Sequence, residues 1–337
     1  MKRKLKIFTI NPGSTSTKVA MFENETEQFS SNVAHDAATL KTYKNINDQF
    51  DYRKEMILAE LTKHDISLSK TDAFVGRGGG LVGLEGGTYT VNEKLLEHAK
   101  NGFTAKHPAI LGSQLAHHFA DMHHAKAFVV NPPDVDEFED VARICGFSDI
   151  FRESRIHALN QKEIGIRYAQ KIGKHYEACN LVIAHIGGGV SVTAHRKGRM
   201  IDSNDCINGD GPMAPTRAGT LPAGAVVKLC CSGKYTERDM YNRITKTGGL
   251  VDHLGTSDVL EIMERIEKGD KYARLVFDAM IYQIGKNIGA CAAVLKGEVD
   301  AVVLTGGISN CVYLVDILKQ MVSFIAPVEV YAGEFEM

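Results

Sequence analysis

An α/β protein of two duplicated domains is the fold class that this sequence predicts, and three observations carry it. Apolar, strand-like runs alternate with helical stretches along the whole chain, a pattern that builds sheets flanked by helices. The length, 337 residues, suits two hydrophobic cores better than one. One motif also occurs twice: residues 6–22 read KIFTINPGSTSTKVAMF and residues 181–196 read LVIAHIGGGVSVTAHR. A single shift lays Gly13 on Gly188 and Ser16 on Ser191. Each copy is an apolar run, a turn of small residues and a second apolar run. Such a turn brings backbone N–H groups close to an anion, because glycine has no Cβ in the way.

The elements follow in order. Residues 4–10 and 16–22 read as a hairpin, and residues 47–62 as a helix capped by Asn47. Residues 73–75 form a short buried strand that enters the glycine-rich loop 76–87. Asn92 caps a helix that runs to Asn101 and stops at Gly102. Pro108 suits the first position of a helix toward His123, and residues 126–130 are a strand. In the second half, residues 181–186, 190–195 and 199–202 are strands, and Ser257 caps a helix ending at Gly269. Residues 270–296 form one long apolar helix for the core or a dimer face. Residues 299–304 are a buried strand running into Thr305-Gly306-Gly307, and 328–331 are the last strand. The division between halves is expected at residues 150–160, giving domains 1–152 and 153–337. No linker composition marks it, so two closely packed domains are expected to hold a ligand in a central cleft, whose closure would exclude water.

Composition narrows the function classes. A net charge of −2 advertises neither a nucleic acid nor a bilayer as partner. The basic start is followed by an apolar run too short for a signal peptide, and no run approaches the roughly 20 apolar residues of a membrane helix. A cytoplasmic protein is expected. The seven cysteines form no C-x-x-C pair, so they read as reduced and mostly core residues rather than a disulfide or zinc framework.

Several loops carry candidate chemistry. Asn11, Ser14, Ser16 and Lys18 give the first turn the hydroxyl groups and positive charge that a phosphate needs, although Asn-Pro-Gly is also ordinary turn chemistry. Gly78 to Gly83 satisfies G-x-G-x-x-G, but no helix follows to make it a dinucleotide site. Arg77, at a strand end before glycine, is placed to grip a carboxylate or phosphate, or is simply a surface arginine. His107 and His157 stand out by position among thirteen histidines, most of which are structural. Gly187-Gly188-Gly189 between two apolar strands is costly to order and points to a close backbone approach. Arg217, the one cation of the loop 208–220, could stabilise a transferring phosphoryl group or be solvated. Gly306 and Gly307 follow a buried strand and could pack against an adenine or ribose, or form a plain βα turn.

Taken together, these loops resemble the acetokinase family of acetate, propionate and butyrate kinases. INPGSTSTK looks like the family's first phosphate motif, IAHIGGGVS its second and LTGGISN its adenosine motif. GRGGGLVGLEGGTY, KHPAILG, FRESRIHALNQKE and GDGPMAPTRAGTLP are similar to the butyrate-kinase branch, and the resemblance covers nearly the whole chain. It implies a duplicated ribonuclease-H-like fold shared with sugar kinases, actin and 70-kDa heat-shock ATPases. It implies ATP or ADP with Mg2+, a small carboxylate substrate, and a homodimer or larger homo-oligomer. Asn11, Ser14, Ser16 and Lys18 would contact phosphate, as would His185 with Gly187, Gly188 and Gly189. Arg77 and Arg217 would hold the carboxylate and the phosphoryl group, His157 would bond the phosphoryl oxygens, and His107 would shape the acyl site. Glu336 matches an acidic residue that organises magnesium through water. Asn131 stands where the family usually has an Asp near the metal, which removes a negative charge there. The family also continues past the last residue with a helix that returns to the first domain, so either that domain lacks its closing helix or the sequence is cut short of it. The expected function is reversible phosphoryl transfer from ATP to a short-chain acid. The alternatives are a preference for acetate or propionate, or a nucleotide-binding homologue with weak turnover. A sugar kinase of the same superfamily would want an Asp general base, which no loop offers clearly.

Overall fold

In the computed structural model, which describes residues 3–102 and 107–333, the chain forms two compact units that divide between Val135 and Asp136. That point lies ahead of residues 150–160. The physical reason is visible in the second unit, where Glu137 pairs with Lys162 and accepts from the Met200 N–H, and Glu139 N–H donates to Ile201 O.

The first unit is a six-stranded sheet. Its strands are β1 (Lys6–Pro12), β2 (Ser16–Glu23), β3 (Thr26–Ala34), β4 (Ala73–Gly76), β5 (Thr88–Thr90) and β6 (Lys126–Val130), in the order β3-β2-β1-β4-β6-β5. β1 pairs antiparallel with β2, Asn11 opposite Lys18, and parallel with β4, Ile10 opposite Gly76. Phe8, Phe74 and Phe119 meet at the centre of its core with ring centroids 6.1 to 6.3 Å apart. Fully buried aromatic rings of this kind supply much of the driving force for folding.

The second unit repeats the plan with β7 (Asn180–Ile186), β8 (Val190–Arg196), β9 (Arg199–Ser203), β10 (Ala301–Gly306) and β11 (Val328–Ala332). Their order is β11-β10-β7-β8-β9. Read from the other edge it matches β3-β2-β1-β4-β6, so the duplication inferred from two turns extends to five strands of each sheet. The helix Lys271–Val294 is a core element: Ala273, Val276, Phe277, Met280, Ile281, Ile284 and Ile288 are buried in the main cluster.

Local signals account for most elements. Asn92 accepts from Leu95 N–H and Gly102 takes a left-handed φ of 62°, so that helix starts and stops as its sequence dictates. Three starts differ. A capping box of Asn45 and Asp48 opens a short 3-10 turn, and the helix proper is Phe50–Lys63. Asp258 rather than Ser257 caps Val259–Glu267, and the helix after Pro108 begins at Ile110. The seven cysteines are all free thiols, but Cys145, Cys230 and Cys231 are exposed, so the core holds fewer of them than composition suggests.

Candidate active-site residues

The first unit gathers its candidates at one end of β1. Gly13 N–H donates to Ser16 O at 2.7 Å and closes the turn between β1 and β2, leaving Ser14 and Lys18 exposed. Asn11 and Lys18 are cross-strand partners and therefore share a face. Arg77 continues β4 beyond its pairing with β1. Its N–H donates to Ile10 O at 3.0 Å and its Nη1 to Asn11 Oδ1 at 3.3 Å. Residues far apart in sequence thus form one cationic, donor-rich surface.

Below it lies a residue that the sequence did not single out. Arg53 is fully buried. It donates to Gln49 Oε1, Ser16 O and Thr17 Oγ1, all neutral acceptors. Burial drags its ionisation down to about 10, still far above neutrality, so it remains a cation beneath the turn. Thr17 Oγ1 accepts from Arg53 and donates its own hydroxyl hydrogen to His35 Nε2 at 2.7 Å. Burial, and then the Arg53 charge, hold His35 down at about 4 from 6.5. His107 is likewise lowered to about 4, by burial, Arg77 and Arg53 in that order. Its Nδ1 accepts from Ala109 N–H at 3.1 Å, so the neutral ring carries its proton on Nε2.

These shifts set a pH dependence. A folded His35 stays neutral where an unfolded chain would take up a proton. Stability is therefore complete above pH 6.5, falls as pH drops toward 4, and levels off below that for this group. The loss for His35 is about 3 kcal/mol by linkage. Urea unfolding of the protein and of His35→Gln at pH 7, 5.5 and 4.5 checks this; the variant should show the flatter dependence.

Asn131 follows β6 with a left-handed φ of 40°, a conformation that Asn tolerates better than most residues. Its Oδ1 accepts from Gly87 N–H at 2.8 Å, and its own N–H donates to Gly87 O at 2.9 Å. The side chain therefore ties down the loop that follows Arg77. Asn131→Asp keeps both the acceptor and the conformation, so its Tm should stay within about 2 °C of the parent in differential scanning calorimetry. Glu336 lies outside the described residues. Among the described residues no group of three or more His, Cys, Asp or Glu side chains could hold a metal ion.

The second unit places His157 just ahead of the helix Ala158–Lys171. Its ring stacks on that of His185 at 3.9 Å and 13°. His185 Nδ1 meets Asn160 Oδ1 at 2.8 Å, and Thr305, opposite His185 in the ladder, donates to the same oxygen. The turn from β7 to β8 is closed by Gly187 N–H donating to Gly189 O. Thr216 Oγ1 donates to Gly188 O at 3.2 Å, and Arg217 Nη1 donates to Cys206 O at 2.9 Å. A Cβ on Gly189 would lie 1.6 Å from Arg217 Nη1, whereas one on Gly188 would meet nothing within 4 Å. At position 189 the close approach is therefore to the arginine of a distant loop. Arg217 Nε is buried without an acceptor.

Beside this turn opens a cleft of about 670 Å3, lined by Gly188, Thr216, Asp258, Gly307, Ile308 and Tyr313 among others. Its size and mixed walls suit a nucleoside. Sequence reasoning brought Gly188, Arg217 and Gly307 forward for separate reasons; the fold sets Gly188 and Gly307 on one cleft and Arg217 against the next residue of the turn. It also adds Asn160 and Gln161, three and four residues after His157 and so on its side of the helix.

Comparison with known proteins gives the family and the fold. Residues 150–326 match the model of the Acetokinase family. Over 334 residues, 99% of this chain and 94% of the other, the sequence is 46% identical to butyrate kinase 2 of Clostridium acetobutylicum. Among solved structures, Porphyromonas gingivalis acetate kinase superposes with a TM-score of 0.78 at 18% identity, covering 98% of this chain and 97% of that one. A Francisella tularensis propionate kinase gives a TM-score of 0.77 at 17% identity, with coverage of 98% and 97%. At such identities these two structures speak for the fold alone.

Proposed function

The chain belongs to the acetokinase family, and from that premise we propose that it is an ATP-dependent butyrate kinase. It moves the terminal phosphoryl group of ATP reversibly onto the carboxylate of butyrate or a branched short-chain acid, giving an acyl phosphate and ADP. The observation that carries this reading is the 46% identity to a butyrate kinase over nearly the full chain.

An ionised carboxylate oxygen is already a competent nucleophile, so no general base is needed. It forms the new P–O bond as the bond from phosphorus to the leaving ADP oxygen breaks. Catalysis is then positioning and charge neutralisation. In the first unit Arg77 takes the acid, its fork held by Asn11 and its surroundings made positive by buried Arg53. In the second unit the glycine turn takes the nucleotide phosphates and the cleft takes the adenosine. Arg217 and His157 answer the charge on the phosphoryl oxygens. Magnesium is the family's cofactor, and when bound it would neutralise charge that develops in transfer.

Purified protein with ATP, Mg2+ and butyrate should yield an acyl phosphate that hydroxylamine traps as a hydroxamate. No hydroxamate with any C2–C6 acid refutes the proposal. Comparing kcat/KM across those acids distinguishes butyrate from acetate or propionate as the preferred substrate, because pocket fit decides. Among the described residues no helix is long and apolar enough to cross a membrane. A homodimer or larger homo-oligomer is the expected partner state, to be checked by analytical ultracentrifugation.

A further inference from the structure

A line of buried polar side chains runs behind His157. His157 Nδ1 meets Ser191 Oγ at 2.8 Å; Gln161 Nε2 meets Ser191 Oγ at 2.8 Å and Ser191 O at 3.2 Å. Gln161 Oε1 meets His195 Nε2 at 3.0 Å, and His195 Nδ1 meets Tyr176 Oη at 2.6 Å. Ser191, Gln161 and His195 are completely inaccessible to solvent and Tyr176 nearly so. Water therefore cannot reorder these bonds.

The direction of every bond follows from one fixed point. The carbonyl oxygen of Ser191 can only accept, so the amide nitrogen of Gln161 must face it. Gln161 Oε1 then faces His195 Nε2, which must carry a proton. Burial and the neighbouring Lys162 charge keep His195 neutral, so its Nδ1 is bare and accepts from the Tyr176 hydroxyl. On the other side, Ser191 Oγ accepts from Gln161 and is left with its own proton to donate. The acceptor in reach is His157 Nδ1.

We propose that Tyr176, His195, Gln161 and Ser191 are positioning residues that lock His157 in the tautomer with its proton on Nε2. The inference rests on the reading of His157 as the donor to the phosphoryl group. A neutral imidazole free to choose would place its proton on Nδ1 part of the time and meet an oxyanion with a lone pair. The chain removes that choice before substrate arrives, and pre-set donors are the kind that lower a barrier without reorganisation. Lys162 anchors the far end. Its Nζ pairs with Glu137 at 2.9 Å, donates to Gly198 O at 2.9 Å and stands 5.7 Å from the centre of the Tyr176 ring.

Long-range 1H–15N spectra of the full protein labelled at histidine nitrogens read the tautomer directly, with His157 assigned by its loss in His157→Gln. A protonated Nε2 and a bare Nδ1 are expected in the unmodified protein, and a protonated Nδ1 overturns the proposal. Ser191→Ala should give a mixture of tautomers at His157, with kcat down roughly 10- to 100-fold and KM for ATP within about twofold. Retention of the pure Nε2 form with unchanged kcat in a folded Ser191→Ala protein overturns it as well. The spectrum of the unmodified protein needs no variant to fold and no turnover. A failure to make any hydroxamate would thus strike the assigned function and leave the measured tautomer standing.

Discussion

Gly189→Ala is expected to lower kcat/KM by roughly 10²- to 10³-fold while the protein stays folded. The added Cβ would sit 1.6 Å from Nη1 and 2.7 Å from Cζ of Arg217. No van der Waals contact allows that, and the guanidinium is the part that can swing away. The next nearest atom, Cys206 O, is 3.5 Å off, an ordinary contact, so the damage falls on the arginine. A double-mutant cycle checks the route. Gly189→Ala should cost several hundredfold in the parent and only a few-fold in an Arg217→Ala background, because the two changes remove the same interaction. Circular dichroism and Tm should be close to those of the parent. Equal costs in both backgrounds would mean that the glycine serves the phosphates themselves.

The second large effect is on stability. Gly76→Ala should destabilise the protein by about 3 kcal/mol or more, since overpacking here sets backbone against backbone. A Cβ at Gly76 would stand 2.1 Å from Gly112 O, and one at Gly112 would stand 2.9 Å from Arg77 N. β4 and the helix Ile110–Met122 touch through these two glycines. Neither wall is the tip of a flexible side chain, so the helix must move. Calorimetry should show a fall in Tm of about 6 to 12 °C, taking 2–4 °C per kcal/mol for a protein of this size class. An unchanged Tm would refute the close contact. Because Arg77 follows Gly76 directly, surviving protein should also bind the acid more weakly.

What the sequence disclosed depended on how local the governing interaction is. The duplicated hairpins, the strands at 73–76 and 126–130 and the cap at Asn92 are written in neighbouring residues, and they were legible. β5 is three residues long and carries too little pattern to see. Asn11 and Arg77 were each visible as donors, but their meeting depends on β1 lying beside β4, which no spacing reveals. Arg53 was hidden for a different reason. It sits in a polar stretch, Asp51-Tyr52-Arg53-Lys54-Glu55, where a charge reads as solvated surface, and only the fold shows that it is buried. Asn160 and Gln161 could have been found by asking what lies one helical turn beyond His157. Their partners on β7 and β8 could not.

β3 passed unnoticed because it is polar along most of its length: only Val33 of residues 26–34 is buried. The same quality has a consequence for behaviour in solution. β3 is an edge of the first sheet, and an open edge offers unpaired N–H and C=O groups to any other chain. Glu27 and Gln28 crowd it with polar side chains, and Ser31 is tied sideways to Glu60. The strand that gives no sign of itself in hydropathy thereby guards its own edge against pairing with another molecule's sheet. Apolar replacements along it would leave the fold intact and turn this edge into a seed for aggregation.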